Sequence, residues 1–303
     1  MVTTKSTSER TSWSAAVHGV CGASHQKRGL PMQDAHGVWR DDSMNALCVA
    51  VADGHGHRVH CRSQLGAVFA VTSILDTAAQ LAQILSAPSI SVERNLIRQL
   101  ATQGLIQHWR HQVREHQGRE PFTDSESQPH ELASLMECAR DHLPSNPFVA
   151  YGTTLIAALL VGPHRMYWQI GDGDLIEMYP TDDLPRFNTH RVFAYQSNSF
   201  DSTTQSLCMD NVEHNIQFAW LQNDTSLPTH IALSTDGYSS SYTSDRDFLS
   251  ALTELTDISH QNGNQAIQDR LPTWLEQISR GGSGDDITLA LLQHESNNEV
   301  RNG

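Results

Sequence analysis

The sequence predicts an antiparallel α+β protein, with sheets in the middle and helices outside. Three observations lead there. Short apolar runs at 46–52, 152–161, 165–170, 174–179, 230–235 and 286–292 have the length and content of buried strands. Two long stretches, from about Arg62 to Pro88 and from Ser91 to about Gln117, place apolar residues at helical spacing. The strands also come in groups, with the helix pair inserted between groups, instead of alternating one for one with helices.

Residues 13–22 alternate weakly and read as a first strand. The run 46–52 (ALCVAVA) stops at Asp53-Gly54, as a buried strand ending in a tight turn does. Leu65, Val68, Phe69, Thr72, Ile74, Leu75 and Leu81 define the first long helix, which Pro88 breaks. Val92, Leu96, Leu100, Leu105, Ile106, Trp109 and Val113 define the second. Residues 118–147 are rich in Pro, Ser, Asp and Glu and are expected to hold a loop and one short helix around Glu131–Asp141. Pro163 and Asp172-Gly173 separate the three middle strands. Residues 180–228 are polar, with weak strands expected near 190–195 and 216–221. Helices near 245–257 and 264–279 precede the last strand, 286–292. The expected organisation is a flexible N-terminus (1–12), a single domain (13–294) and a flexible tail (295–303).

The formal net charge of −14 would repel a nucleic-acid backbone. No stretch approaches the ~20 apolar residues that span a bilayer. Residues Met1–Ser12 lack the apolar segment of a secretory signal, and five scattered cysteines without a CxxC pair suit reduced thiols. A cytoplasmic monomer that binds neither nucleic acid nor membrane is expected. Most of the 17 histidines are expected on the surface.

Four aspartate turns share one pattern: Asp34 before the first hairpin, Asp53-Gly54 and Asp236-Gly237 after apolar strands, and Asp285-Asp286 before the last strand. Strand ends are rigid platforms. Carboxylates gathered from several of them repel one another unless a hard cation joins them, and Mg²⁺ and Mn²⁺ take oxygen ligands. Read singly, each Asp-Gly is also ordinary turn chemistry.

The successive motifs QDAHGVW, VADGHGH, YGTTLIAALL, IGDGD, LSTDGYSS and GDDITLALL resemble, in order and spacing, those of the metal-dependent type 2C protein phosphatases. The resemblance spans roughly residues 15–292, and GASHQKRGLPMQD is similar to the form in bacterial members. It implies a central antiparallel β-sandwich flanked by helix pairs (α-β-β-α), with a site for two Mn²⁺ or Mg²⁺ ions at one end. Asp53 matches the carboxylate that bridges both ions, and Gly54 the residue whose carbonyl binds one. Asp236 and Asp285 match ligands of the other. Asp34 matches a residue acting through water, with Gln33 in place of its usual acidic neighbour. Asp286 stands where Asn is frequent.

The implied reaction is attack of metal-activated water on a phosphoserine or phosphothreonine ester, the substrate being a phosphoprotein made by a serine/threonine kinase. His55 matches the general acid for the leaving alkoxide. Arg28 is the favoured phosphate grip because guanidinium pairs with phosphate in a bidentate manner; Lys27 is the alternative. Asp172 matches a ligand of a third metal, although Ser240 replaces the carboxylate expected to share it. Thr153 and Thr154 are expected to pack or hydrogen-bond within the sheet, His57 and His60 to face solvent, and residues 180–228 to form a variable flap beside the cleft. Two rival functions are a catalytically weak or silent phosphatase-fold domain that binds a phosphorylated partner, and a metal-dependent hydrolase of small phosphate esters. Gln33 and Ser240 speak for the first; the absence of a GxxxxGKS cradle speaks against nucleotides for the second.

Overall fold

A computed structural model describes residues 12–87, 93–127, 146–182, 186–194, 204–222 and 227–295. Strand β1 (Ser12–Val20) leads into a short helix, α1 (Ala23–Arg28), then β2 (Ala35–Asp41) and β3 (Ala46–Ala52). Helices α2 (Ser63–Ser86), α3 (Arg94–Arg119) and α4 (Asp124–Ser127) follow. Next come β4 (Leu155–Val161), β5 (His164–Ile170), β6 (Asp174–Pro180), β7 (Phe187–Arg191), β8 (Gln217–Gln222) and β9 (His230–Ser234). The chain closes with α5 (Asp236–Ser239), α6 (Asp245–Asn262), α7 (Asn264–Gly281) and β10 (Ile287–Glu295).

The strands form two antiparallel sheets, β1-β10-β9-β6-β7 and β2-β3-β4-β5-β8. Apolar side chains fill three layers: between the sheets, between the second sheet and α2/α3, and between the first sheet and α6/α7. This is the expected α-β-β-α order. The run ALCVAVA shows how sequence sets it. Leu47, Val49 and Val51 point into the layer between sheets, while Ala46, Cys48, Ala50 and Ala52 point to α2. Both faces are buried, so the run is continuously apolar, and small residues on one face let the helix approach. Helix α2 is long and apolar enough to cross a membrane by composition alone, and here most of its apolar window is core.

Several boundaries differ from expectation. Residues 152–154 precede β4 instead of opening it, because Gly152 ends a 3-10 turn at Pro147–Tyr151 and Thr153 makes only an isolated bridge to Gly54. The weak strand expected near 190–195 lies earlier, at Phe187–Arg191, where it pairs with β6. Strands β1 and β10 reach Ser12 and Glu295, one residue into each expected flexible end. Helix α1 and strand β2 were not delineated in sequence. The first is only six residues long, and β2 exposes alternate residues at a sheet edge. The short helix expected around 131–141 lies outside the described residues, as do Pro88 and 296–303.

Candidate metal centre

Pairing register explains why distant aspartates meet. Ala35 pairs with Ala52, so Asp34 and Asp53 continue adjacent strands at the same end of the second sheet. In the first sheet Ser234 pairs with both Leu289 and Asp174, which brings the turns carrying Asp236, Asp285-Asp286 and Asp172 to the matching end.

The backbone around Asp53 is held on two sides. Its N–H donates to Thr154 Oγ1 at 3.0 Å, and its carbonyl accepts from Thr153 Oγ1 at 2.9 Å and Thr154 N at 2.8 Å. The two threonines of YGTT thus hydrogen-bond as expected, and their target is the residue that starts the acidic turn. Gly54 follows because nothing larger fits: a Cβ there would lie 2.7 Å from the Ser63 carbonyl oxygen and 2.8 Å from that of Gln33. Gly237 is equally constrained, with the Asp286 carbonyl oxygen 2.0 Å from where its Cβ would be.

Asp34 is buried, and its Oδ2 accepts from Thr235 Oγ1 and Thr288 Oγ1, both at 2.8 Å. Its Oδ1 is buried with no partner among the described residues. Burial first, then the Asp286 and Asp236 carboxylates, raise the Asp34 carboxyl to about 8, against the two threonine hydrogen bonds. Asp53 is pushed well above the usual carboxylate range by burial and by Asp34, Asp236 and Asp285. Asp236 is raised to about 6 by burial and by Asp172, and it also shares a hydrogen bond with Asp53. Four carboxylates therefore press on one another around Asp53. An unpartnered buried oxygen among mutually repelling carboxylates is the donor set that a hard divalent cation neutralises, so these residues fit Mn²⁺ or Mg²⁺.

The remaining expected residues distribute unevenly. Asp285 is about half exposed at the rim, its side chain 54% accessible. Asp172 is exposed and accepts from Thr204 Oγ1 at 2.8 Å, while Ser240 closes α5 without supplying a charge. Gln33 turns its amide to Ser63 Oγ at 2.8 Å. His55 packs on His60 with ring centroids 4.9 Å apart, and its backbone N–H donates to the Gly152 carbonyl at 3.1 Å. Burial and His60 pull the His55 ring down to about 4. His60 is not solvated as expected: its Nδ1 lies 2.5 Å from the Val149 carbonyl oxygen, and the ring is half-buried. His57 is exposed. Lys27 and Arg28 are exposed at the end of α1, and among the described residues neither forms an ion pair.

Sequence reasoning did not foresee the part played by Asp286. It is 4% exposed, and its carboxylate accepts the backbone N–H of Gly22 and of Gln33, each at 2.6 Å. It thereby ties the start of β10 to both ends of the segment carrying α1. A carboxylate accepts both bonds where an asparagine would offer one oxygen, and the substitution at this position was the available signal.

The sequence profile of the protein phosphatase 2C family matches residues 21–276. No curated protein matches the chain at a significant level. Among solved structures, a point mutant of a bacterial serine phosphatase is similar at 14% identity and TM-score 0.56, with 94% of this chain and 100% of that one covered. The catalytic domain of the serine/threonine protein phosphatase PstP, in complex with two manganese ions, is similar at 15% identity and TM-score 0.54, covering 94% and 100%. PppA, a regulatory component of T6SS in Pseudomonas aeruginosa, is similar at 16% identity and TM-score 0.53, covering 94% and 98%. These likenesses share the two-sheet fold, and the profile match runs from the end of β1 into α7: the chain belongs to the protein phosphatase 2C family.

Proposed function

We propose that this chain is a metal-dependent serine/threonine phosphoprotein phosphatase. The observation that carries the reading is the buried, unpartnered Asp34 Oδ1 beside the crowded carboxylates of Asp53 and Asp236. Two Mn²⁺ or Mg²⁺ ions would be held by Asp53, the Gly54 carbonyl, Asp236 and Asp285, with Asp34 acting through water. When bound, such ions neutralise the phosphate dianion and make water a competent nucleophile at neutral pH.

The chain's own residues supply the rest. Thr153 and Thr154 fix the Asp53 backbone, so its carboxylate needs little reorganisation. Arg28 stands three and four residues after His25 and Ser24, which contact the 284–286 turn, so it shares their face of α1. That position favours Arg28 over Lys27 as the group that grips the phosphoryl oxygens. His55 is neutral in the free protein. A bound phosphate dianion favours its imidazolium form, which would then protonate the leaving serine or threonine oxygen. Asp172, without a carboxylate at 240, would give a third cation only a weak hold. The substrate in this reading is a phosphoprotein made by a serine/threonine kinase. Action as a cytoplasmic monomer belongs to the same proposal; the free thiols of Cys21, Cys48, Cys61 and Cys208 accord with a reducing compartment.

The test is hydrolysis of a phosphoserine peptide and an aryl phosphate with Mn²⁺, set against chelator and Asp236→Ala. Activity lost in both controls supports the proposal. Phosphopeptide binding without turnover would establish the silent-domain reading instead, and faster hydrolysis of a mononucleotide than of the peptide would establish a small-ester hydrolase.

A further inference from the structure

A second set of ligand-type side chains lies beside the acidic cleft, built from different chemistry. Cys21 directly follows β1, His25 lies in α1, and Asp286 precedes β10. One sulfur, one imidazole nitrogen and one carboxylate oxygen from these residues lie within 4.8 Å of one another.

The state of His25 points to a ligand. The residue is 6% exposed. Its Nδ1 lies 3.0 Å from Asp286 Oδ1, yet it makes no hydrogen bond to that oxygen or to any other described group. A buried ring nitrogen close to an acceptor but misaligned with it is costly, since it has lost water without gaining a partner. The cost vanishes if nitrogen, oxygen and sulfur direct their lone pairs at a common point. Asp286 can take part while keeping its bonds to Gly22 and Gln33, because each carboxylate oxygen has a second lone pair. Cys21 is half-buried, and water would be the fourth ligand of an ion held by these three groups.

We propose that Cys21, His25 and Asp286 form a separate site for a borderline-soft divalent cation of the Zn²⁺ class. Metal–sulfur and metal–nitrogen bonds of about 2.3 and 2.0 Å in a tetrahedron separate their ligand atoms by roughly 3–4 Å, within the observed spread. Coordination displaces the Cys21 thiol proton to solvent and leaves the oxidation state of sulfur and metal unchanged. A thiolate with one imidazole selects zinc over the manganese or magnesium that an all-oxygen cleft takes. The site is linked to that cleft, because the other nitrogen of His25 lies 3.7 Å from Asp285 Oδ1. An ion on Nδ1 would orient the ring against Asp285 and stiffen α1, which carries Lys27 and Arg28. The inference does not depend on phosphatase activity.

The test uses Co²⁺ as the probe on the full chain. Thiolate coordination is expected to give a near-ultraviolet charge-transfer absorption that saturates at an amplitude of one thiolate site per chain, since Co²⁺ bound by oxygen ligands in the acidic cleft gives no such band. Cys21→Ser should abolish it, whereas Cys61→Ser and Asp53→Asn should keep it. A second measurement needs no variant: Zn²⁺ should slow alkylation of Cys21 about tenfold or more, read by peptide mass spectrometry, with Cys61 unaffected and Mn²⁺ without effect. No thiolate band in the wild-type chain, a band that survives Cys21→Ser, a band lost in Asp53→Asn, or alkylation of Cys21 indifferent to Zn²⁺ would each overturn the site.

Discussion

Thr288 Oγ1 donates to Asp34 Oδ2 at 2.8 Å, joining the last strand to the residue that precedes β2. Both groups are buried, and Thr235 makes the matching bond from the end of β9. Replacing Thr288 by Val keeps shape and removes one donor from a carboxylate that already has an unpartnered oxygen. The expected loss is about 1–3 kcal/mol of folding stability, measured by urea melts in chelator. Added Mn²⁺ should recover part of it. A variant as stable as the parent would show that Asp34 does not rely on this donor.

Metal removal should expose the repulsion among the carboxylates. Asp34 at about 8 and Asp236 at about 6 lie above their ordinary 3.8, and Asp53 is raised too. Folded values above unfolded ones mean that the fold prefers the protonated forms. Their favourable contribution is present below 3.8 and is lost as pH rises through 6 and then 8. The rise in Tm on adding Mn²⁺ should therefore be larger near pH 8 than near about pH 5.5, where protons compete with the ion. A rise of equal size at both pH values would remove the carboxylates from the binding site.

Arg28 and Lys27 can be separated by kinetics. Arg28→Ala should lower kcat/KM for a phosphopeptide by about 10²-fold, a loss of one bidentate charge-assisted contact, and Lys27→Ala by no more than a few-fold. Arg28→Lys should recover little, because an ammonium cannot reproduce the fork. The reverse ranking would assign the grip to Lys27.

His230 makes the fold acid-sensitive at the N-terminal end of β9, the end of the strand opposite the acidic turn. The residue is 1% exposed, its Nε2 has no partner among the described residues, and burial with His260 and His294 nearby lowers its pKa to about 3. The unfolded chain binds this proton near 6.5, so stability falls as pH drops from 6.5 towards 3. At pH 5 the cost is roughly 2 kcal/mol. His230→Leu should gain on the parent protein as pH falls from 7 to 5, read as the difference between their urea midpoints, and a difference that does not change with pH would place the acid sensitivity elsewhere.

Apolar periodicity and Asp-Gly punctuation are local signals, so the strand-and-helix grouping and the acidic turns are legible in the chain alone. ALCVAVA and HIALST declare buried strands, and the aspartates that follow them mark where those strands stop. Motif order also carried the family. Which groups partner which is set by packing over long stretches of chain. Asp286 bonds to Gly22 across 264 residues of chain, Thr288 to Asp34 across 254, and His25 to neither of its acidic neighbours with a proper hydrogen bond. No local pattern encodes such contacts. They arise where antiparallel register brings strand ends together, and burial then sets the charge state of every carboxylate and imidazole that meets there.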